Sequence, residues 1–135
     1  VAIAKIHSEE SRLNYSIGID VENMINDIKE IERFTSRILT NNEIKHLRKM
    51  KIYNENDMMQ EINLRFSMKE AIYKAIYPFV RRFIGHKEVE VYTKPDGTST
   101  IRFCVDDLKK FSFCIKVNWH KIESQKVFLC IASIN

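Results

Sequence analysis

The sequence predicts an α+β fold, in which a small antiparallel sheet packs against one long helix. Three observations carry that expectation. Apolar residues recur at helical spacing through the middle of the chain, and they alternate with polar ones toward both ends. The strongest turn signal, Pro95-Asp96-Gly97, lies between two alternating stretches of the last third. The 135 residues suffice for one core and are too few for two, so residues 1–135 are expected to form a single domain.

Val1 to His7 alternates weakly and reads as a strand. Ser8 to Asn14 is a polar loop and Tyr15 to Val21 a second strand, so the two predict a hairpin with a longish loop. A chain that opens inside a strand and without Met is expected to continue upstream or to be part of something longer. Ile25, Ile28, Ile31 and Phe34 then repeat at helix period. Thr40-Asn-Asn-Glu43 has the spacing of a capping box, where hydroxyl and carboxylate each satisfy an orphan backbone N–H, so a helix should run to about Met50. Tyr53 to Asp57 is polar and separates it from a long helix expected from about Met58. Leu64, Met68, Ala71, Ile72, Ala75 and Phe79 form that helix's apolar stripe, and Pro78, which has no N–H to donate, should end or kink it.

The last third changes period. Val89, Val91 and Thr93 alternate with charged or polar neighbours, and Ile101, Phe103 and Val105 do so beyond the turn. Phe111 to Trp119 and Val127 to Ile134 read as two more strands, giving an antiparallel meander.

Composition is that of a soluble protein, and no apolar run approaches the roughly 18 residues a membrane span needs, so no membrane partner is expected. No export signal is visible. Cys104, Cys114 and Cys130 match no zinc or redox spacing and sit in apolar stretches. They read as reduced core residues, which predicts a cytoplasmic protein. Lys and Arg outnumber Asp and Glu by 22 to 18, compatible with any anionic partner but decisive for none.

Two segments carry candidate chemistry. In Gly18-Ile-Asp20-Val-Glu22, residues two apart in a strand share a side, so Asp20 and Glu22 present paired carboxylates. In Phe66-Ser-Met-Lys69-Glu70-Ala-Ile-Tyr-Lys74, Glu70 and Lys74 share a helix face and Lys69 flanks them. Taken singly, surface acids and a surface ion pair explain each segment better than a site does. Packed as neighbours, they would gather three carboxylates, which suit a hard cation such as Mg²⁺, beside lysines able to hold phosphates. A phosphoryl-transfer site needs that combination.

These residues resemble the 4′-phosphopantetheinyl transferase superfamily, whose signatures are Gly-x-Asp-x-Glu on a strand and (Trp/Phe)-(Ser/Ala)-x-Lys-Glu-(Ala/Ser)-x-x-Lys on a helix. Both stand here in that order, with Thr40 and Glu43 resembling the linking motif between them. Ala75-Ile-Tyr-Pro78 and Val89-Glu-Val91 look most like the second half of the enterobactin-synthase component D or surfactin-type branch. The resemblance implies transfer of 4′-phosphopantetheine from coenzyme A to a serine of an acyl, peptidyl or aryl carrier protein. It makes Asp20, Glu22 and Glu70 magnesium ligands, gives coenzyme A phosphates to Lys69 and Lys74, and makes Glu70, or a metal-bound water near it, the candidate base, with Lys74 beside it. It offers Glu43 a role near the base, but the capping box explains Glu43 by structure alone. Arg33, Arg37, Lys45 and Arg48 are candidates for the carrier-docking surface.

Larger relatives hold coenzyme A between two similar halves, and the Ser-His element that precedes their first strand is absent here. Self-association, as in the small trimeric synthases, or a missing N-terminal half is therefore expected. Two rivals remain. One is a non-catalytic interaction or scaffold half-domain of the same fold. The other is a basic nucleic-acid binder using Tyr92, Phe103, Phe111 and Phe113, although such alternating aromatics are more often core and nucleic acid is not the expected partner. His7, His46, His86 and His120 are scattered and suggest no ligand cluster, and Trp119 reads as a core or interface anchor.

Overall fold

The computed structural model describes residues 2–4, 15–24, 29, 31–52 and 54–135. Strands β1 (Ala2–Ala4) and β2 (Ser16–Asn23) pair antiparallel as predicted; the loop expected between them lies outside the described residues. Helices α1 (Ile31–Ile38), α2 (Asn41–Lys49) and α3 (Glu55–Val80) follow. Ile25 and Ile28, expected to begin the first helix, also lie outside the described residues. Strands β3 (Val89–Thr93), β4 (Ser99–Phe103), β5 (Ile115–Ile122) and β6 (Val127–Ile134) complete the chain. The α+β architecture is as the sequence predicts.

The capping box forms: Thr40 Oγ1 accepts from the Glu43 N–H at 3.2 Å, and Glu43 Oε2 accepts from the Thr40 N–H at 2.8 Å. Helix α3 starts three residues earlier than expected. Asn54 accepts from the Asp57 N–H at 2.9 Å, so the polar run 54–57 is a cap and first turn. Pro78 does not end the helix. Its missing donor falls in the last turn, and the chain runs to Val80 before Arg81 turns left-handed with φ 51°.

The predicted stripe of α3 is buried against β2 and β6, with Phe79 partly buried on Phe111. A smaller cluster of Ile38, Leu39, Leu47 and Ile62 joins α1 and α2 to the first half of α3.

The meander is two separate sheets. One has the order β1-β2-β6-β5, and β3 and β4 pair alone. The segment read as a strand from Phe111 begins instead as a 3₁₀ helix, Asp106–Phe113. Leu108 and Phe111, three apart, fall on one side of that helix and enter the core, while Phe113 is 98% exposed. The detour lets β5 pair with β6, and a single β-bridge, Thr98 to Asn118, links β5 to the residue just before β4. Phe103 and Phe111 are thus core residues rather than a stacking platform. All three cysteines are free, but only Cys130 is core; Cys114 is half-buried and Cys104 exposed, because the chain leaves strand geometry between them. Trp119 is partly buried on the main core.

Candidate active site on the strand–helix seam

Gly18 explains how the two segments meet. A Cβ there would lie 1.9 Å from the Ala71 carbonyl oxygen and 2.6 Å from the Ala75 nitrogen. Those are backbone atoms that cannot move aside, so only glycine lets β2 lie directly on α3. Alternation then turns Asp20 toward the same helix.

Asp20 is buried between two donors. Ser67 Oγ donates to Oδ2 at 2.7 Å, and Lys74 Nζ donates to Oδ1 at 2.5 Å. Lys74 also donates to the Ile19 carbonyl at 2.9 Å. Across the sheet Asp20 faces Cys130, whose thiol is pushed up to about 12 by burial, against the lowering effect of a hydrogen bond with Ser67 and with smaller raising contributions from the charges of Asp20 and Glu22. Glu22 is half-buried on the same side of β2 as Asp20.

Glu70 stands one helical turn from both Ser67 and Lys74, and its side chain is 30% exposed. His86 Nε2 lies 2.9 Å from Glu70 Oε1. That hydrogen bond, opposed by burial and helped by the charges of His86 and then Lys74, holds the Glu70 carboxyl below the usual range. Glu70 is therefore a carboxylate at neutral pH, and the imidazole is the donor.

Lys69 goes elsewhere. Five residues before Lys74, it is rotated by about 140° around the helix. Its ammonium donates to Glu43 Oε2 at 2.7 Å, to the Ile38 carbonyl at 2.8 Å and to the His86 carbonyl at 2.8 Å. All three protons are satisfied inside the protein, so this geometry does not offer the phosphate contact expected of Lys69. Glu43 is fully buried and its other oxygen accepts from the Val91 N–H at 2.8 Å, which makes it a structural node.

The donor set fits a hard cation, since Asp20, Glu22 and Glu70 offer only carboxylate oxygens. Among the described residues, however, no three His, Cys, Asp or Glu side chains converge closely enough to hold a metal as they stand. Lys74 and Ser67 occupy Asp20, and His86 occupies one oxygen of Glu70.

Sequence reasoning missed two neighbours of these candidate residues. Ser67 sits inside the helix motif, but only the packing reveals its bond to Asp20. His86 lies 16 residues beyond Glu70 on another element, and no local pattern joins them. Arg33, Arg37, Lys45 and Arg48 are all exposed on α1 and α2. A groove of about 360 Å³ beside them is lined by Ile31, Ile44, Leu47, Arg48, Met58 and Ile62, among others.

No curated protein matches this sequence. Solved structures do match in fold. Holo-[acyl-carrier-protein] synthase of Helicobacter pylori, solved with coenzyme A, shares 16% identity with a TM-score of 0.63, over 88% of this chain and 99% of that one. The holo-ACP synthase of Plasmodium yoelii gives 17% and 0.62, over 87% and 91%. That of Bacillus anthracis, in complex with CoA (3′,5′-ADP), gives 22% and 0.58, over 87% and 93%. The profile of the 4′-phosphopantetheinyl transferase superfamily matches residues 16–130, from the first residue of β2 to the cysteine facing Asp20, and the chain belongs to that superfamily.

Proposed function

We propose that this chain transfers 4′-phosphopantetheine from coenzyme A to a serine of a carrier protein, with Mg²⁺, releasing adenosine 3′,5′-bisphosphate. One observation carries the reading: the strand motif and the helix motif meet at Asp20, through Ser67 and Lys74, with Glu70 one turn away. The serine oxygen attacks the phosphorus that bears the pantetheine arm. A new P–O bond forms, the pyrophosphate P–O bond breaks, and its electrons leave with the bisphosphate. Glu70, ionised at neutral pH, accepts the serine proton. Lys74, with two described acceptors, has a third N–H to give a phosphate oxygen. Asp20, Glu22 and Glu70 would hold Mg²⁺, which supplies charge neutralisation as the bisphosphate departs.

The carrier docks on α1 and α2, where exposed Arg48 lines an apolar groove suited to an acidic amphipathic helix and exposed Arg37 follows Ser36 of its lining. The cofactor cleft is completed by another copy of the chain or by a second half. The side of the sheet turned from α3 supports this, for it carries Ile17, Ile19, Val21, Leu129 and Ile131, with Val21 56% exposed. The Ala75–Pro78 and Val89–Val91 segments favour the enterobactin-synthase component D branch, and the cytoplasm is the expected compartment.

The test is mass spectrometry of an apo carrier incubated with this chain, coenzyme A and Mg²⁺. The product should be heavier by one phosphopantetheine, and Glu70→Gln should slow its formation by about 10²–10⁴-fold. An unaltered rate in that variant would remove the site assignment. No transfer to acyl, peptidyl or aryl carriers would leave the interaction-module reading.

A further inference from the structure

His86 lies outside both sequence motifs, yet it is the one described side chain that hydrogen-bonds Glu70. We propose that His86 is a positioning residue for Glu70, fixing the carboxylate through Oε1 while leaving Oε2 open toward cation and substrate; this rests on the transferase reading above.

Four features hold the imidazole in place. Its ring packs against Phe66 at 5.4 Å between centroids, and Phe66 is itself braced by Phe34 at 5.6 Å. Its carbonyl accepts from Lys69, so the buried Lys69–Glu43 pair clamps the backbone that carries the ring. Just upstream, Arg82 grips both oxygens of Asp107 at 2.8 Å and pairs with Glu88 at 3.0 Å. Glu88 in turn accepts from the Gly85 N–H at 2.6 Å, and its carbonyl accepts from Cys104 N–H at 2.8 Å. The turn bearing His86 is thus anchored to α3, to Cys104 just past β4 and to the 3₁₀ segment Asp106–Phe113.

A half-exposed glutamate on a helix surface has rotamers to spare, and ordering it in advance favours the reactive arrangement. A donor from a pinned backbone provides that order without filling the cleft, because it engages one carboxylate oxygen only. Lys69 acquires a role in the site by the same route. It touches no reacting group but holds the carbonyl of the residue that holds Glu70.

His86→Phe keeps the ring on Phe66 and removes the donor; His86→Gln returns an N–H near the place of Nε2. Two readouts are taken on each: kcat and KM for transfer, and Mn²⁺ binding by electron paramagnetic resonance with and without coenzyme A. Loss of an outer hydrogen bond to a metal-binding carboxylate typically costs about 10–100-fold in activity or affinity. His86→Phe is expected to fall by that factor in kcat and in Mn²⁺ affinity, with KM for coenzyme A within about 3-fold of wild type, and His86→Gln to recover most of both. Wild-type activity and Mn²⁺ binding in His86→Phe would overturn the proposal. So would a His86→Gln as poor as His86→Phe at equal thermal stability. If wild type binds Mn²⁺ in a His86-dependent way but transfers nothing, the positioning role stands and the transferase reading fails. If wild type neither binds nor transfers, both fail.

Discussion

Lys69 and Lys74 stand five positions apart on one helix, their side chains 2% and 4% exposed, and each is paired with a carboxylate. The first has three acceptors, and its partner Glu43 is saturated as well, by Lys69 and by the N–H groups of Thr40 and Val91. The second has two acceptors and borders Glu70, whose side chain reaches solvent. A buried charge with every bond made is a fastening, whereas one with a bond to spare beside a half-exposed acid can still exchange partners. The two lysines of one motif thus divide the work: one joins helices to β3, and the other waits at the seam.

The largest loss of stability is expected at Lys69. Lys69→Met leaves Glu43 charged and buried without its cation, a change that typically costs roughly 3–5 kcal/mol. Urea denaturation measures it, and a loss below about 1 kcal/mol would erase the contrast. Lys74→Met should cost less stability, about 1–3 kcal/mol, since Asp20 keeps Ser67 and lies nearer solvent. Its transfer rate should drop by about 10²–10³-fold, the usual consequence of removing one donor to developing charge. Equal rates in the two variants, at matched folded fraction, would show that burial alone separates them.

Smaller effects sharpen the fastening side. Thr40→Ala should cost about 1 kcal/mol, because Thr40 caps α2 and also donates to Glu90 at 2.8 Å. Burial opposes the ionisation of Glu90, but hydrogen bonds from Thr40, Tyr92 and Asn42 and the charge of Arg102 outweigh it and hold its carboxyl below the usual value. A depressed folded-state value gives stability that is present above the unfolded one, roughly pH 4.3, and is lost as pH falls through the folded one. Glu90→Gln should therefore flatten the acid limb of the stability curve below about pH 5, read from denaturation midpoints. An unchanged limb would mean that Glu90 does not contribute to it.

What the sequence made legible was local. The capping box, the Pro95-Asp96-Gly97 hairpin turn and the stripe of α3 each depend on residues within a few positions, and all three are present. The destination of Lys69 was not legible, because which helix face meets which neighbour is decided by tertiary packing. Phe111 and Phe113 illustrate the same limit. Their alternation reads as a strand, whereas the three-residue spacing of Leu108 and Phe111, equally present, is the one the core used. His86 could be found only in three dimensions, since it is tied to Glu70 by a turn fastened at both ends.

Gly18 has a consequence for anyone wishing to move this chemistry to another scaffold. Short side chains such as Asp20 and Ser67 can bond across an interface only where two backbones nearly touch. Grafting the acid, the serine and the lysine without that bare position would hold the graft's strand off its helix and strand the donors out of reach. Such a transplant would have to begin with the one residue that contributes no side chain at all.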